Sequence, residues 1–378
     1  MERSVFISDR NTDNDVKIRV LLTGCGLGGK KHIELLSRSS RSILVAIVAP
    51  LSEANIACAS ERNVPLFSTV EEALDRVEID AAIIASPNNF HAEQTLLCIR
   101  RGVPVLVEKP LTTDLESAAT VCREAKAQNV PVLVGHHRAY NPLLLAAQDF
   151  IHSERFGEFV AMQGSALFRK PEHYFEEGPW RTRTGGGPIL INLIHEIGVI
   201  RFLCGPIRAV SVLASNARRR FGVEDTAAIS MRFNNGALGT FLLSDIAASN
   251  RSWELTTGEN PAYPRSSDAS CYHFAGTNGS LDFPTLQARF YKSNDSASWW
   301  TPFQTDVLVA KAADPLEKQL AHFEDIVTTQ IEPLVPAEIG FENMRILDAI
   351  QRAILTGETI ELVQQQEITT FTDIRHEK

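Results

Sequence analysis

Four glycines in six residues, Gly24-Cys25-Gly26-Leu27-Gly28-Gly29, stand between a β-branched run (Ile18 to Thr23) and an amphipathic stretch (Gly29 to Ser37). The order strand, glycine turn, helix restricts the fold more than any other feature of the chain. Gly24 permits the tight turn, Gly26 lets the backbone approach a pyrophosphate, and Gly29 lets the helix pack closely on its strand. The helix N-terminus adds unbonded N–H groups, with that of Leu27 among them, and positive potential for phosphate.

The same alternation continues downstream. Apolar runs at Ile43 to Ala49, Leu66-Phe67, Ala81 to Ala85, Pro104 to Glu108 and Val130 to Gly135 are separated by helical stretches at Ser52 to Arg62, Val70 to Leu74, Asn89 to Arg101 and Asp114 to Gln128. Strands that are apolar throughout and separated by helices predict a parallel sheet buried on both faces, a doubly wound Rossmann domain over residues 16–137. After Arg138 the rhythm changes to longer alternating runs: Glu158 to Leu167, Ala209 to Ser215, Thr226 to Phe233 and Ala237 to Ser244. Asn235-Gly236 supplies the positive-φ residues of a tight hairpin, and Gly276 to Gly279 a second turn before Leu281 to Phe283. An α+β domain over residues 138–358 with an open, mainly antiparallel sheet follows, with one helix (Asn192 to Leu203) inserted. Amphipathic helices at Pro315 to Thr329 and Glu338 to Leu355 close it, and the helix 338–355 is expected to pack back on the first domain. Residues 1–15 are expected to be a flexible lead-in and 359–378 a tail.

With 44% hydrophobic and 22% charged residues the composition is that of a globular protein, and a net charge of -9 disfavours nucleic acid or an anionic membrane as partner. No apolar run approaches the length of a membrane span, and Met1 to Asp15 has neither signal nor transit character. The six cysteines form no C-x-x-C pair, and His195-Glu196 lacks the second histidine of a zinc-binding helix. A metal-free, cytoplasmic protein is expected.

A carboxylate for the adenosine ribose is expected at the end of the second strand, but Ala49 stands there. Ser52 and Glu53 follow, either to reach the ribose or to cap the next helix. No base replaces the acid, so the choice between NAD and NADP stays open with a lean to NAD. Ser86-Pro87-Asn88-Asn89-Phe90-His91 follows the fourth strand and Val107-Glu108-Lys109-Pro110 ends the fifth. With Gly24-x-Gly26-x-x-Gly29, His137-Arg138-Ala139-Tyr140-Asn141-Pro142, Trp180-Arg181, Gly185-Gly186-Gly187, His195 and Ala275 to Leu281, these motifs resemble the glucose–fructose oxidoreductase / inositol dehydrogenase / MocA family over about residues 17 to 358.

The resemblance implies an NAD(P)-dependent oxidoreductase, a sugar, cyclitol or related polyol as substrate, and a role for Lys109 at the reacting oxygen. Strand ends of an open α/β sheet face the ligand crevice, so an ammonium there can stabilise alkoxide character. Glu108 is expected to face the cofactor or support Lys109. His195 is the implied acid/base. Relatives commonly carry an aspartate four residues before this histidine and another three after it; here those positions are Ile191 and Gly198. Asn192, one turn before His195, is expected to orient the imidazole or the substrate. Ser86, Pro87 and Asn89 are expected at the cofactor, and His91 either there or capping the next helix. Arg138 is expected near cofactor and substrate, and Tyr140, Trp180 and Arg181 at the substrate, with packing as the commoner use of the tryptophans. Arg218-Arg219-Arg220 reads as a solvated loop. Alternating strands with apolar groups on both faces predict a homodimer or homotetramer through the second sheet. The rival reading, a nucleotide-binding sensor or partner protein with impaired catalysis, rests on the carboxylates missing at 49, 191 and 198.

Overall fold

The computed structural model describes residues 17–293 and 297–362. The expected lead-in at 1–15 and residues 363–378 of the expected tail lie outside them. In chain order the first half runs β1 (Ile18–Thr23), α1 (Leu27–Arg38), β2 (Ser42–Val48), α2 (Glu53–Ser60), β3 (Leu66–Phe67), α3 (Val70–Arg76), β4 (Ala81–Ile84), α4 (His91–Arg100), β5 (Val105–Glu108), α5 (Leu115–Gln128) and β6 (Val132–Gly135). All six strands are parallel, in the order β3-β2-β1-β4-β5-β6. Every residue of β4 and β6 is buried, as helices on both faces require. Side-chain caps set the helix starts: Ser52, Thr69 and Asp114 each accept an N–H from the first turn of α2, α3 and α5.

The second half continues with α6 (Pro142–Ile151), β7 (Phe159–Leu167), α7 (Glu172–Glu176), α8 (Ile194–Cys204), β8 (Ile207–Ser215), β9 (Thr226–Phe233), β10 (Leu238–Ser244), α9 (Trp253–Thr256), β11 (Tyr272–Gly276), β12 (Gly279–Phe283), β13 (Gln287–Phe290), β14 (Gln304–Val307), α10 (Pro315–Thr329), α11 (Ala337–Thr356) and β15 (Ile360–Glu361). Nine strands form one sheet, β14-β13-β12-β11-β7-β10-β9-β8-β15, antiparallel except where β10 runs parallel to β7. The β9–β10 hairpin turns at Gly236 (φ +88°), whose N–H reaches the Phe233 carbonyl. A π-helical turn, Ile189–Leu193, precedes α8 where one regular helix was expected. The expected tail begins as β15, paired with β8.

Helix α11 lies against α5, β6 and β8 and so touches both sheets. Its Gly340 is needed there: a Cβ would fall 2.8 Å from a methyl of Val134 on β6. The segment before α11 hydrogen-bonds along the free edge of β6, with Val134 N–H donating to the Val335 carbonyl, and so shields an edge strand.

Candidate active site

The glycine turn has the geometry its sequence predicts. Gly24 sits at φ +86°, and a Cβ there would fall 2.5 Å from the Ala85 carbonyl oxygen. At Gly29 a Cβ would fall 2.0 Å from the Gly24 oxygen, so only glycine lets α1 lie this close to the turn. Gly26 differs: an added Cβ would meet nothing within 4 Å, and its backbone faces open space. No side chain caps α1, no acidic residue stands in its first turn, and Leu27 is 90% exposed. Bare N–H groups beside an open glycine fit a pyrophosphate. At the end of β2, Ala49 is buried and the Ser52 hydroxyl is used as the cap of α2, so neither offers a carboxylate for a ribose.

Ser86 follows β4 and donates its hydroxyl to Gln94, while Pro87 and Asn89 lie exposed at the strand end. His91 neither lines the crevice nor caps α4. It is 1% exposed, with Nδ1 2.7 Å from the Pro110 carbonyl oxygen and Nε2 2.9 Å from that of Ser86, so it ties the β4 and β5 loops together.

Glu108 ends β5 and reaches back to α1, its Oε1 2.8 Å from His32 Nε2. Burial opposes its charge, but the His32 hydrogen bond and the fields of His32, His137 and Lys109 prevail and hold its pKa down at about 2. Lys109 is half-buried, and no hydrogen bond or ion pair among the described residues engages its ammonium. Burial pulls its pKa below the usual lysine value, the nearby Glu108 opposes that shift, and Arg138 adds to it. An ammonium held ready but unpaired at a strand end can bond a reacting oxygen.

His195 enters from the second domain, on the first turn of α8. Its Nδ1 is buried without a partner, and its ring meets that of His137 edge-on with centroids 5.8 Å apart. Its pKa lies well below 6.5, chiefly through burial, then through the positive fields of Lys109 and Arg138 and the rings of His137 and His136. Of the charged groups that act on His195, Lys109 is the foremost, so the ammonium of one domain is felt at the imidazole of the other.

Asn192 does not orient His195. Its Oδ1 accepts from the ammonium of Lys170, three residues beyond β7, at 2.7 Å, and Asn192 itself stands within the π-helical turn that ends at Leu193. Arg138 is not in the crevice either. It is buried between Glu196 (2.7 Å) and Glu254 (3.0 Å), with Trp253 beneath its guanidinium at 4.5 Å. Glu196 also accepts from the Tyr272 hydroxyl, and burial raises its pKa. This ion cluster locks the start of α8 to β11 and α9. Tyr140 is buried against His322, and burial raises the pKa of its hydroxyl, which has no partner. Trp180 is exposed at 55%, and Arg181 is half-buried over Tyr174.

Trp299 and Trp300, 87% and 85% exposed, meet each other edge-on with ring centroids 5.5 Å apart. The arginine run is not wholly solvated: the Arg219 side chain is 2% exposed and pairs with Asp245 at 2.8 Å. Gly198 lies against His136 and Asn343, and a Cβ would approach His136 Nδ1 to 3.3 Å. The His136 imidazole thus occupies the space that a side chain at 198 would enter. His136, hydrogen-bonded to Asn343, is kept neutral by burial with a pKa of about 3.

Three functional groups escaped sequence reasoning. Lys170 has no motif around it. His137 lies within a quoted motif, yet only the structure pairs it with Glu259, at 3.2 Å. Glu259, from the loop after α9, also accepts from Asn141 and is held at a pKa of about 2 by His137, Arg138 and Asn141 against the effect of burial. The carboxylate–histidine pair that His195 lacks is therefore supplied one ring away.

Residues 18–136 match the model of an oxidoreductase family with an NAD-binding Rossmann fold, and residues 144–282 match the GFO/IDH/MocA C-terminal domain. The chain belongs to the Gfo/Idh/MocA oxidoreductases. It is an NAD(P)-dependent oxidoreductase with an NAD-binding Rossmann domain. A 1,5-anhydro-D-fructose reductase of Ensifer adhaerens is 25% identical over 328 residues, covering 86% of this chain and 92% of that one. An inositol 2-dehydrogenase of Corynebacterium glutamicum (strain R) is 30% identical over 233 residues, 58% of this chain and 65% of the relative. Among solved structures, the WlbA dehydrogenase of Bordetella pertussis, in complex with NADH and UDP-GlcNAcA, shares the fold with a TM-score of 0.73 at 22% identity, over 92% of this chain and all of that one. No helix among the described residues is long and apolar enough to cross a membrane.

Proposed function

We propose that the chain catalyses reversible transfer of a hydride between a secondary alcohol carbon of a sugar, cyclitol or related polyol and NAD(P), with a lean to NAD. The observation that carries this reading is Lys109, an ammonium at the end of β5 with no ion-pair partner among the described residues, whose field acts on the buried His195 of the other domain. The names of the relatives, a reductase of anhydrofructose and inositol dehydrogenases, support the substrate class. The backbone of Gly24, Gly26, Leu27 and Gly29 would hold the pyrophosphate, with Ser86, Pro87 and Asn89 bordering the dinucleotide. Nicotinamide, when bound, supplies the hydride acceptor or donor.

The protein's own part is to manage the alcohol proton. Lys109 hydrogen-bonds the reacting oxygen and, with its pKa lowered by burial, exchanges a proton with it. His195 is neutral at physiological pH and accepts a hydrogen bond from a substrate hydroxyl. A proton leaving this pair finds His137, held by Glu259 and partly open to solvent. Against the sensor alternative, which rests on Ala49, Ile191 and Gly198, stand the retention of both Lys109 and His195 and the His137–Glu259 pair beside the His195 ring.

Helices α6 and α11 lie on one face of the second sheet, and Val160, Leu213, Leu238 and Leu242 stand exposed on β7, β8 and β10. We assign this face to self-association in a homodimer or homotetramer. The function is tested by absorbance at 340 nm with polyols and sugars and both cofactors. Turnover that disappears in Lys109→Ala supports the reading, and turnover unaffected by that change refutes it.

A further inference from the structure

Beside Asn192 the charges do not close. Arg219 is held by Asp245 at 2.8 Å and by Glu172 at 3.1 Å. Arg138 is held by Glu196 and Glu254. Two further cations remain, Lys170 and Arg181, and among the described residues neither has a carboxylate partner. The Lys170 ammonium donates to a neutral amide, Asn192 Oδ1. Arg181 donates Nη1 to the Tyr174 carbonyl, and its Nε is buried without a partner. Both charges rest on one ring, Lys170 Nζ at 4.8 Å and the Arg181 guanidinium at 3.9 Å from the centre of Tyr174.

The seat of Arg181 is built. A Cβ on Gly178 would fall 2.8 Å from its guanidinium carbon, and one on Gly186 2.7 Å from its Cα, so two glycines make room for it. Removing a cation from water without a counter-charge is unfavourable. Asp245 and Glu254 act on Lys170 only from beyond ion-pair distance, so the two cations, held on one aromatic ring, are left to receive an anion that arrives with the ligand.

We propose that the substrate carries a carboxylate, received by Lys170 with Arg181 completing the charge, while its reacting alcohol lies at His195 and Lys109. The proposal rests on the hydride-transfer reading and narrows its substrate to acidic sugars and related polyhydroxy acids. A monoanion fits better than a phosphate dianion. Asp245 and Glu254 both act on Lys170 and would repel the second charge. The spacing also suits the class: Lys170 grips Asn192, about one turn of helix before His195, or roughly 5 Å along the axis.

Fluorescence of NADH bound to the enzyme, titrated with paired ligands, tests this. The acids are D-glucuronate, D-galacturonate and D-gluconate; the neutral partners are D-glucose, D-galactose and D-glucitol; glucose 6-phosphate is the third arm. At least one acid should bind about tenfold or more tighter than its neutral partner, the worth of one charge-assisted hydrogen bond. Lys170→Met should bring the acid-to-neutral affinity ratio down to about one, and Lys170→Arg should retain part of the preference. Arg181→Met should weaken the acids by several-fold. Acids that bind no tighter than neutral partners, a preference that survives Lys170→Met, or tighter binding of glucose 6-phosphate than of any acid would each overturn the proposal. Failure of every acid to bind at tens of millimolar overturns it too. The two readings separate cleanly. Turnover of neutral polyols without acid preference keeps hydride transfer and loses the anion site. Acid binding through Lys170 without turnover keeps the site and loses the reaction.

Discussion

Substituting alanine at two glycines three residues apart should separate ligand binding from folding. Gly26 has φ -72° and ψ -167°, which any L-residue adopts, and its Cβ would meet no atom within 4 Å. Gly26→Ala should therefore fold as the parent does, or gain about 0.4–1 kcal/mol through a less flexible unfolded chain. The open space at Gly26 is where the pyrophosphate must approach the N–H groups of α1. A methyl there holds the phosphate off by about one carbon radius and lengthens one charge-assisted hydrogen bond beyond use. Such a bond is worth about 1.5–3 kcal/mol, so the Kd for NADH should rise by about 10- to 150-fold. Gly29→Ala behaves oppositely. Its Cβ would fall 2.0 Å from the Gly24 oxygen and 2.9 Å from its carbon, both backbone atoms that cannot swing aside. Helix α1 must then move off the turn by more than an ångström, which places the loss at or above the top of the usual 1–3 kcal/mol for overpacking. Urea denaturation monitored by circular dichroism measures the stabilities, and quenching or enhancement of NADH fluorescence measures the affinities. A Gly26→Ala protein that binds NADH as tightly as the parent would refute the pyrophosphate assignment. A Gly29→Ala protein of parental stability would refute the packing argument.

Lys109→Met should lower kcat/KM for polyol oxidation by about 10²–10³, with NADH affinity retained; equal losses in both would make Lys109 a cofactor-binding group. Because burial and the Lys109 field hold His195 well below 6.5, the oxidation rate should show no step near that pH arising from His195. The rise with pH should instead follow Lys109, somewhere below the usual lysine range. A step near 6.5 that vanishes in His195→Ala would contradict this, as would an Ala substitution that leaves the rate unchanged. Acid should destabilise the fold early. His136 titrates at about 3 folded against about 6.5 unfolded, so the unfolded chain takes the proton first and stability falls as pH drops below 6.5. The slope is about 1.4 kcal/mol per pH unit for this one ring. Glu108 and Glu259, both held at about 2, add losses of the same sign between about 4.5 and 2. Urea midpoints of His136→Gln that fall as steeply between pH 6 and 4 as the parent's would refute the assignment. Leu213→Lys combined with Leu242→Lys should yield monomers by sedimentation velocity, since both side chains stand on the uncovered sheet face; an unchanged oligomer would place the interface elsewhere.

Local chemistry determined the first domain. Apolar runs, caps such as Asp114 and the glycine turn each act over a few residues, so β1 to β6 and their helices were legible within one or two positions. The hairpin at Gly236 and the stop of α11 at Gly357 were legible for the same reason, a positive φ written as glycine. Strands β13 and β14 were not legible. Gln304–Val307 is exposed throughout and carries no alternation, and it becomes a strand only because β13 offers a free edge. The site divides in the same way. Lys109 and His195 were readable through the family resemblance, and the strand end gave Lys109 a physical reason to face the crevice. Their partners were not, because a buried polar side chain takes whatever complementary group the fold delivers. Arg138 finds Glu254 116 residues away, His137 finds Glu259 across 122, and Asn192 finds Lys170 through a π-helical turn that no periodicity announced. Burial then set the protonation of His195 and His136. Desolvation is a property of everything packed around a ring, and no neighbouring residue in the sequence records it.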